Sequence, residues 1–164
     1  MRKVEGRSLS RKRRRFPSGN SERDGGEIGV MDGITVIKTI KSKFQQTGSP
    51  ANIPMQTRGS FIAKLTNDGI LVDNLRSQPF LPWIVFQEAI CVLIRNEGRA
   101  ARGDATSARL GSEELSLNSI EGHIAQVVYG KKVGDPVYGR TAPIVDILIW
   151  SGVCDATSDE LMLR

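Results

Sequence analysis

Two apolar segments with helical spacing, "NSIEGHIAQVVYG" at 118–130 and "RTAPIVDILIWSGV" at 140–153, flank the stretch "YGKKVGDPVYGR" at 129–140. Glycine and proline interrupt a helix, so the chain has to turn between the two segments. A pair of short helices joined by a polar, basic turn restricts the possible folds more than any other feature. Asn118-Ser119-Ile120-Glu121 reads as an N-cap followed by an acid, which predicts that Glu121 satisfies free amides at the start of its own helix. Leu117, Ile120, Ile124, Val127 and Val128 supply the buried face of that helix. For the second helix, Asp135 as cap and Pro136 in the first turn predict one start. Gly139 and Pro143 leave open a start as late as Thr141, with "DPVYGR" as a shoulder. Ile144, Ile147 and Leu148 fall on one face, and Ser151-Gly152 marks the end.

Further upstream, "FLPWIVFQEAICVLIRNEG" predicts another helix, opened by Pro82 and closed at Gly98, with Trp83, Phe86, Ile90, Leu93 and Ile94 on one face. Trp83 and Trp150 sit among aliphatics and are expected in the core. The segment from Arg99 to Ser116 is irregular and too long for a mere connection. In "SFIAKLTNDGILVDNL", Asn67-Asp68-Gly69 joins two apolar runs as a tight β-hairpin. Ile34, Ile37, Ile40 and Phe44 repeat at helical intervals after Asp32, a candidate N-cap, although the β-branched density of "ITVIKTI" leaves a strand open. The terminal "ELMLR" reads as a short strand.

Charge divides the chain unevenly. Residues 1–30 hold nine Lys or Arg, including "RKRRR" at 11–15, against four acids, while the remainder holds 14 of each sign. The net charge of +5 therefore belongs to a segment with almost nothing apolar to bury, expected to be a disordered basic tail. The organisation read from the sequence is a tail over 1–30, a helix or strand plus hairpin over 31–80, and a helical domain over 81–164. No apolar run reaches the length of a membrane span, and the basic start leads into no apolar signal region, so a cytoplasmic chain without membrane contact is expected.

The chain from residue 81 to 164 resembles a winged helix-turn-helix domain. The resemblance rests on "SIEGHIAQVVYG", "KKVGD", "RTAPIVDILIWSGV" and "ELMLR", with the passage from "ILIWSGV" into a strand similar to the step from recognition helix into wing. It implies an α+β fold, a small helical winged-helix-like domain preceded by a β-hairpin and the disordered basic tail. It also implies a DNA-binding protein, as a dimer or within a larger complex. On that resemblance Lys131, Lys132, Tyr138, Arg140 and Thr141 match the recognition helix and its approach, Arg140 being placed to reach a guanine edge in the major groove. Arg99, Arg102 and Arg109 would add phosphate contacts. A second class of function, a winged-helix-type protein-interaction module without nucleic-acid contact, is favoured by the neutral charge beyond residue 30 and by Asp155, Asp159 and Glu160 in the wing.

Enzymatic chemistry is not expected. His123, the only histidine, has no Ser or Cys beside it and reads as a partly exposed helix residue, and "GKKVGD" lacks the spacing of a phosphate-binding loop. Cys91 and Cys154 read as buried, reduced thiols. With His123 they make three Cys or His ligands in total, short of the four of a tetrahedral zinc site, so neither metal nor cofactor is expected.

Overall fold

Helix α1 spans Gly33–Thr47 and is capped by Asp32, whose side chain accepts from the Thr35 amide at 2.7 Å. The β-branched run becomes a helix because Val36, Ile40 and Phe44 recur every four residues and bury together. Ile34, expected on that face, stands 64% exposed on the other side. The computed structural model describes residues 31–164, so the expectation for residues 1–30 falls outside the described residues.

The predicted hairpin forms from β2 (Ser60–Leu65) and β3 (Gly69–Val72), with Leu65 opposite Ile70. Two strands that the sequence reading missed extend it to an antiparallel β1-β2-β3-β4 sheet: β1 is Ala51–Pro54 and β4 is Phe80–Pro82. Gly69 is required by close approach, since a Cβ there would lie 2.1 Å from the Leu81 carbonyl oxygen on β4. Alternation places Ala51, Ile53, Phe61, Ala63, Ile70, Val72 and Leu81 on the buried face, with Asn52, Ile62, Lys64 and Leu71 outside.

Helix α2 runs from Trp83 to Arg95, with Val85, Phe86, Ala89, Ile90, Val92 and Leu93 buried and Ile94 exposed. Its end is a Schellman motif: the Gly98 amide donates to the Leu93 carbonyl at 2.7 Å and the Glu97 amide to Ile94 at 3.2 Å. Glu97 thereby holds a left-handed φ of 61°, a position that normally favours glycine.

The irregular segment opens with β5 (Arg99–Ala101) and contains a 3-10 turn at Glu113–Leu115. Strand β5 pairs with β7 (Glu160–Leu163), and β7 with β6 (Cys154–Ala156), giving a three-stranded antiparallel sheet in the order β5-β7-β6. Between them come α3 (Ile120–Val127) and α4 (Thr141–Trp150), so α4 takes the later of its two sequence-allowed starts. Asp135 instead closes a turn, its carboxylate accepting from the Lys132 amide at 2.8 Å.

Asp32–Arg164 packs as one unit. Helix α4 lies at its centre, touching α2, β1 of the larger sheet and β6 of the smaller. Phe44 of α1 meets Trp150 edge-on with ring centroids 4.9 Å apart. Both tryptophans are half-buried at the rim of the core instead of inside it. Among the described residues no helix is long and apolar enough to cross a membrane.

Candidate functional site

The head of α4 is built by α3. Ser119 caps α3, accepting from the Gly122 amide at 3.0 Å and donating to the Ser116 carbonyl at 2.6 Å. Gly122 allows that tight approach, because a Cβ there would fall 2.0 Å from the Ser116 oxygen. The Glu121 amide donates to the Arg102 carbonyl at 2.9 Å, tying the first turn of α3 to the end of β5. This geometry aims the Glu121 side chain away from its own helix.

Its carboxylate accepts from the Arg140 amide at 3.0 Å, the Thr141 amide at 2.9 Å and the Thr141 hydroxyl. Glu121 thus caps α4, where free amides and the positive end of the helix dipole favour an anion. The expectation that it caps α3 is corrected: Ser119 already holds that role, and the carboxylate finds orphan amides across the turn. Glu121 is 3% exposed, and burial pushes its carboxyl above the usual range, opposed by the hydrogen bonds from Thr141 and Arg140.

Arg140 and Thr141, expected to face a DNA groove, are buried. The Arg140 guanidinium stacks 3.6 Å from the Tyr129 ring centroid and 5.0 Å from that of Tyr138. Nη1 donates to the Tyr138 carbonyl at 3.1 Å and Nη2 to Gln78 Oε1, while Nε has no partner among the described residues. The Tyr138 hydroxyl accepts from the Ser77 amide at 3.2 Å, so both side chains clamp the β3–β4 loop. Arg140 goes inward because two flanking tyrosine faces and two acceptors replace its water.

The remaining predicted residues divide into two groups. Arg109 is tied to the α3–α4 turn, its Nη1 donating to the Gly134 carbonyl at 3.2 Å; the same turn carries Lys131 and the exposed Lys132. Arg99 belongs to the three-stranded sheet and pairs with Glu160 at 2.5 Å, and Arg102 donates to Gln56 Oε1 at 3.1 Å. The eight side chains therefore do not share one face.

A cleft of about 620 Å³ opens where the β3–β4 loop, the segment after β5, the head of α4 and the β6–β7 loop meet. Leu75, Ala142 and Pro143 supply apolar walls, with Arg102, Asp104 and Asp159 among the polar groups. The side-chain hydrogen bond from Thr106, reinforced by its amide, holds the Asp104 carboxyl below the usual carboxylate range. Arg102 and Thr141, expected from the sequence as nucleic-acid contacts, lie in this lining, but sequence reasoning missed the cleft itself because its walls come from four separated segments.

Helix α4 itself offers little to a groove. Seven of its ten residues are buried, and "TAPIVDILIW" contains no Lys or Arg. Its one charge, Asp146, accepts from the Gln56 amide at 3.2 Å, and burial raises its carboxyl above the usual range.

On the far side of α3, His123 is buried instead of partly exposed. Its Nε2 lies 2.7 Å from Glu88 Oε1, and Arg95 Nη2 is 3.5 Å from Nδ1. Cys91 is exposed, contrary to expectation, and desolvation together with the Glu88 charge raises its thiol, the opposite of what a nucleophile needs. Burial pushes the Cys154 thiol up to about 12. Among the described residues no group of three or more His, Cys, Asp or Glu is arranged to hold a metal ion. No family model, curated protein or solved structure significantly matches this sequence.

Proposed function

We propose that the chain is a protein-interaction module of winged-helix type, in which the cleft at the head of α4 receives a segment of a partner protein. The observation that carries this reading is the burial of seven of the ten residues of α4, a helix without Lys or Arg. In a DNA-reading winged helix that element must project polar and basic side chains into the major groove; here it is a core helix, and its approach residues Tyr138 and Arg140 hold an internal loop. The helix–strand–helix–helix–strand–strand order from α2 to β7, with the sheet order β5-β7-β6, supports the winged-helix type. What stays open to a partner is a concave surface of ligand-pocket size, apolar in part and ringed by polar groups.

The test is a competition between two selections on the full chain, one with displayed random peptides and one with a random pool of DNA duplexes. The expected result is peptide enrichment that Ala142→Arg abolishes, since residue 142 is exposed in the cleft wall and a long side chain there takes up the space between the walls. Enrichment of a duplex motif that R109A, K131A and K132A together erase would overturn the proposal. So would enriched peptides indifferent to Ala142→Arg.

A further inference from the structure

Helix α1 carries Lys38, Lys41 and Lys43 and no Asp or Glu. The described residues are neutral overall, with 14 cations and 14 anions, so positive charge concentrated on one helix is balanced by negative charge elsewhere on the surface. Lys38 and Lys41 are exposed, and among the described residues none of the three enters an ion pair. Lys41 and Lys43 leave α1 on different sides: Lys41 Nζ lies 5.3 Å from the Trp83 centroid and Lys43 Nζ 5.6 Å from that of Trp150.

A shallow groove of about 360 Å³ runs beside this helix, between Thr35, Lys38, Ser42, Lys43 and Gln46 and the facing Ser151. Its lining consists of hydroxyl, amide and ammonium groups, all hydrogen-bond donors, and no carboxylate enters it. The Asp32 carboxylate nearby is committed to the Thr35 amide as the helix cap.

We propose that this face of α1 binds the phosphate backbone of nucleic acid without reading its sequence. A rise of 1.5 Å per residue puts Lys38 and Lys43 about 7.5 Å apart along the axis, a length over which duplex DNA carries roughly four phosphates. Ammonium and hydroxyl donors satisfy phosphate oxygens and position a backbone, while base discrimination would need groove contacts that this face lacks. A lipid surface fits less well. The apolar residues Val36, Ile40 and Phe44 are buried inside the protein, leaving Ile34 as the single large apolar side chain that α1 could insert. The surface is independent of the cleft at α4, and the "RKRRR" segment at 11–15 supplies a separate source of phosphate contacts that the test has to distinguish.

The experiment measures anisotropy of a labelled random-sequence duplex with the full chain between about 50 and 200 mM salt. Variants are K38Q/K43Q, the arginine counterpart K38R/K43R, and a tail variant with glutamine at positions 11–15. At about 0.9 counterions released per neutralised phosphate, two lost contacts flatten the log–log salt slope by about 1.8. The salt-induced loss of affinity over that range then shrinks about 12-fold. The arginine variant keeps the slope, the tail variant lowers it separately, and Lys38→Gln alone flattens it by about one unit even if the double variant folds poorly. A Lys38→Gln slope equal to wild type, or a tail variant that abolishes all duplex binding, overturns the proposal. Binding to anionic phospholipid vesicles in the absence of duplex binding overturns it in favour of a membrane surface.

Discussion

Replacing Glu121 by Ala tests whether the carboxylate that heads α4 holds the two helices together. It removes the acceptor from the Arg140 and Thr141 amides and from the Thr141 hydroxyl. The hydroxyl can rotate toward another acceptor, but the two amides cannot. A buried donor left unsatisfied costs about 1–3 kcal/mol, so the gross loss is about 2–6 kcal/mol. Removing a carboxylate whose burial disfavours its charge returns part of that. The expected net destabilisation is about 3 kcal/mol, above the roughly 1 kcal/mol of an ordinary exposed N-cap. For a domain of this size that lowers Tm by about 10–15 °C.

Glu121→Gln keeps one acceptor oxygen and should lose about half as much. The pH dependence separates the variants further. Because the folded-state carboxyl is raised, its favourable contribution is complete below the unfolded value and is lost as pH rises through the folded one. The stability gap between wild type and Glu121→Gln therefore narrows as pH rises. Urea unfolding followed by circular dichroism at several pH values reads both quantities. A Glu121→Ala loss under about 1 kcal/mol, or a Gln variant as unstable as the Ala variant, refutes the cross-helix cap.

Glu97 occupies a left-handed position, which costs an L-residue about 1–2 kcal/mol. Glu97→Gly should stabilise the protein by about 0.5–1 kcal/mol after glycine's extra unfolded-state entropy is subtracted; a lower urea midpoint would contradict the Schellman assignment. Asp146 has a raised carboxyl, so wild-type stability falls as pH rises through its folded value, a component that Asp146→Asn removes. Asparagine can still accept from the Gln56 amide, so the variant should gain on wild type between acidic and neutral pH, and unfolding curves in which it loses ground would count against burial as the cause.

What the sequence disclosed was local. Asp32 before a periodic run and Asn67-Asp68-Gly69 between apolar runs each specify their structure within a few residues, and both formed. Strands β1 and β4 escaped because three or four residues containing proline carry no period, and only pairing with the hairpin makes them strands. The partners of Glu121, 19 and 20 positions away, could not be read from a motif that also fits a cap of its own helix. Arg140 looked like a free cation for a similar reason: solvation is the default for arginine, and only the fold brings Tyr129, Tyr138 and Gln78 around it.

One signal was present and outweighed. "TAPIVDILIW" has apolar residues all round a helical wheel, broken only by Thr141 and Asp146, the pattern of a core element and not of one with a solvent-facing or DNA-facing stripe. A helix of that kind has to be covered along its flanks, which β1, β6 and α2 do, and at its head, where its amides would otherwise be buried without acceptors. Arg140 stands at the N-cap position and has no side-chain acceptor to offer. The cap must therefore come from another element, and the buried Glu121 of α3 supplies it. Once that carboxylate is committed to α4, the α3–α4 turn is anchored at both ends, and Lys131 and Lys132, with Arg109 bonded to the same turn, flank a largely buried helix instead of forming the approach to an exposed one.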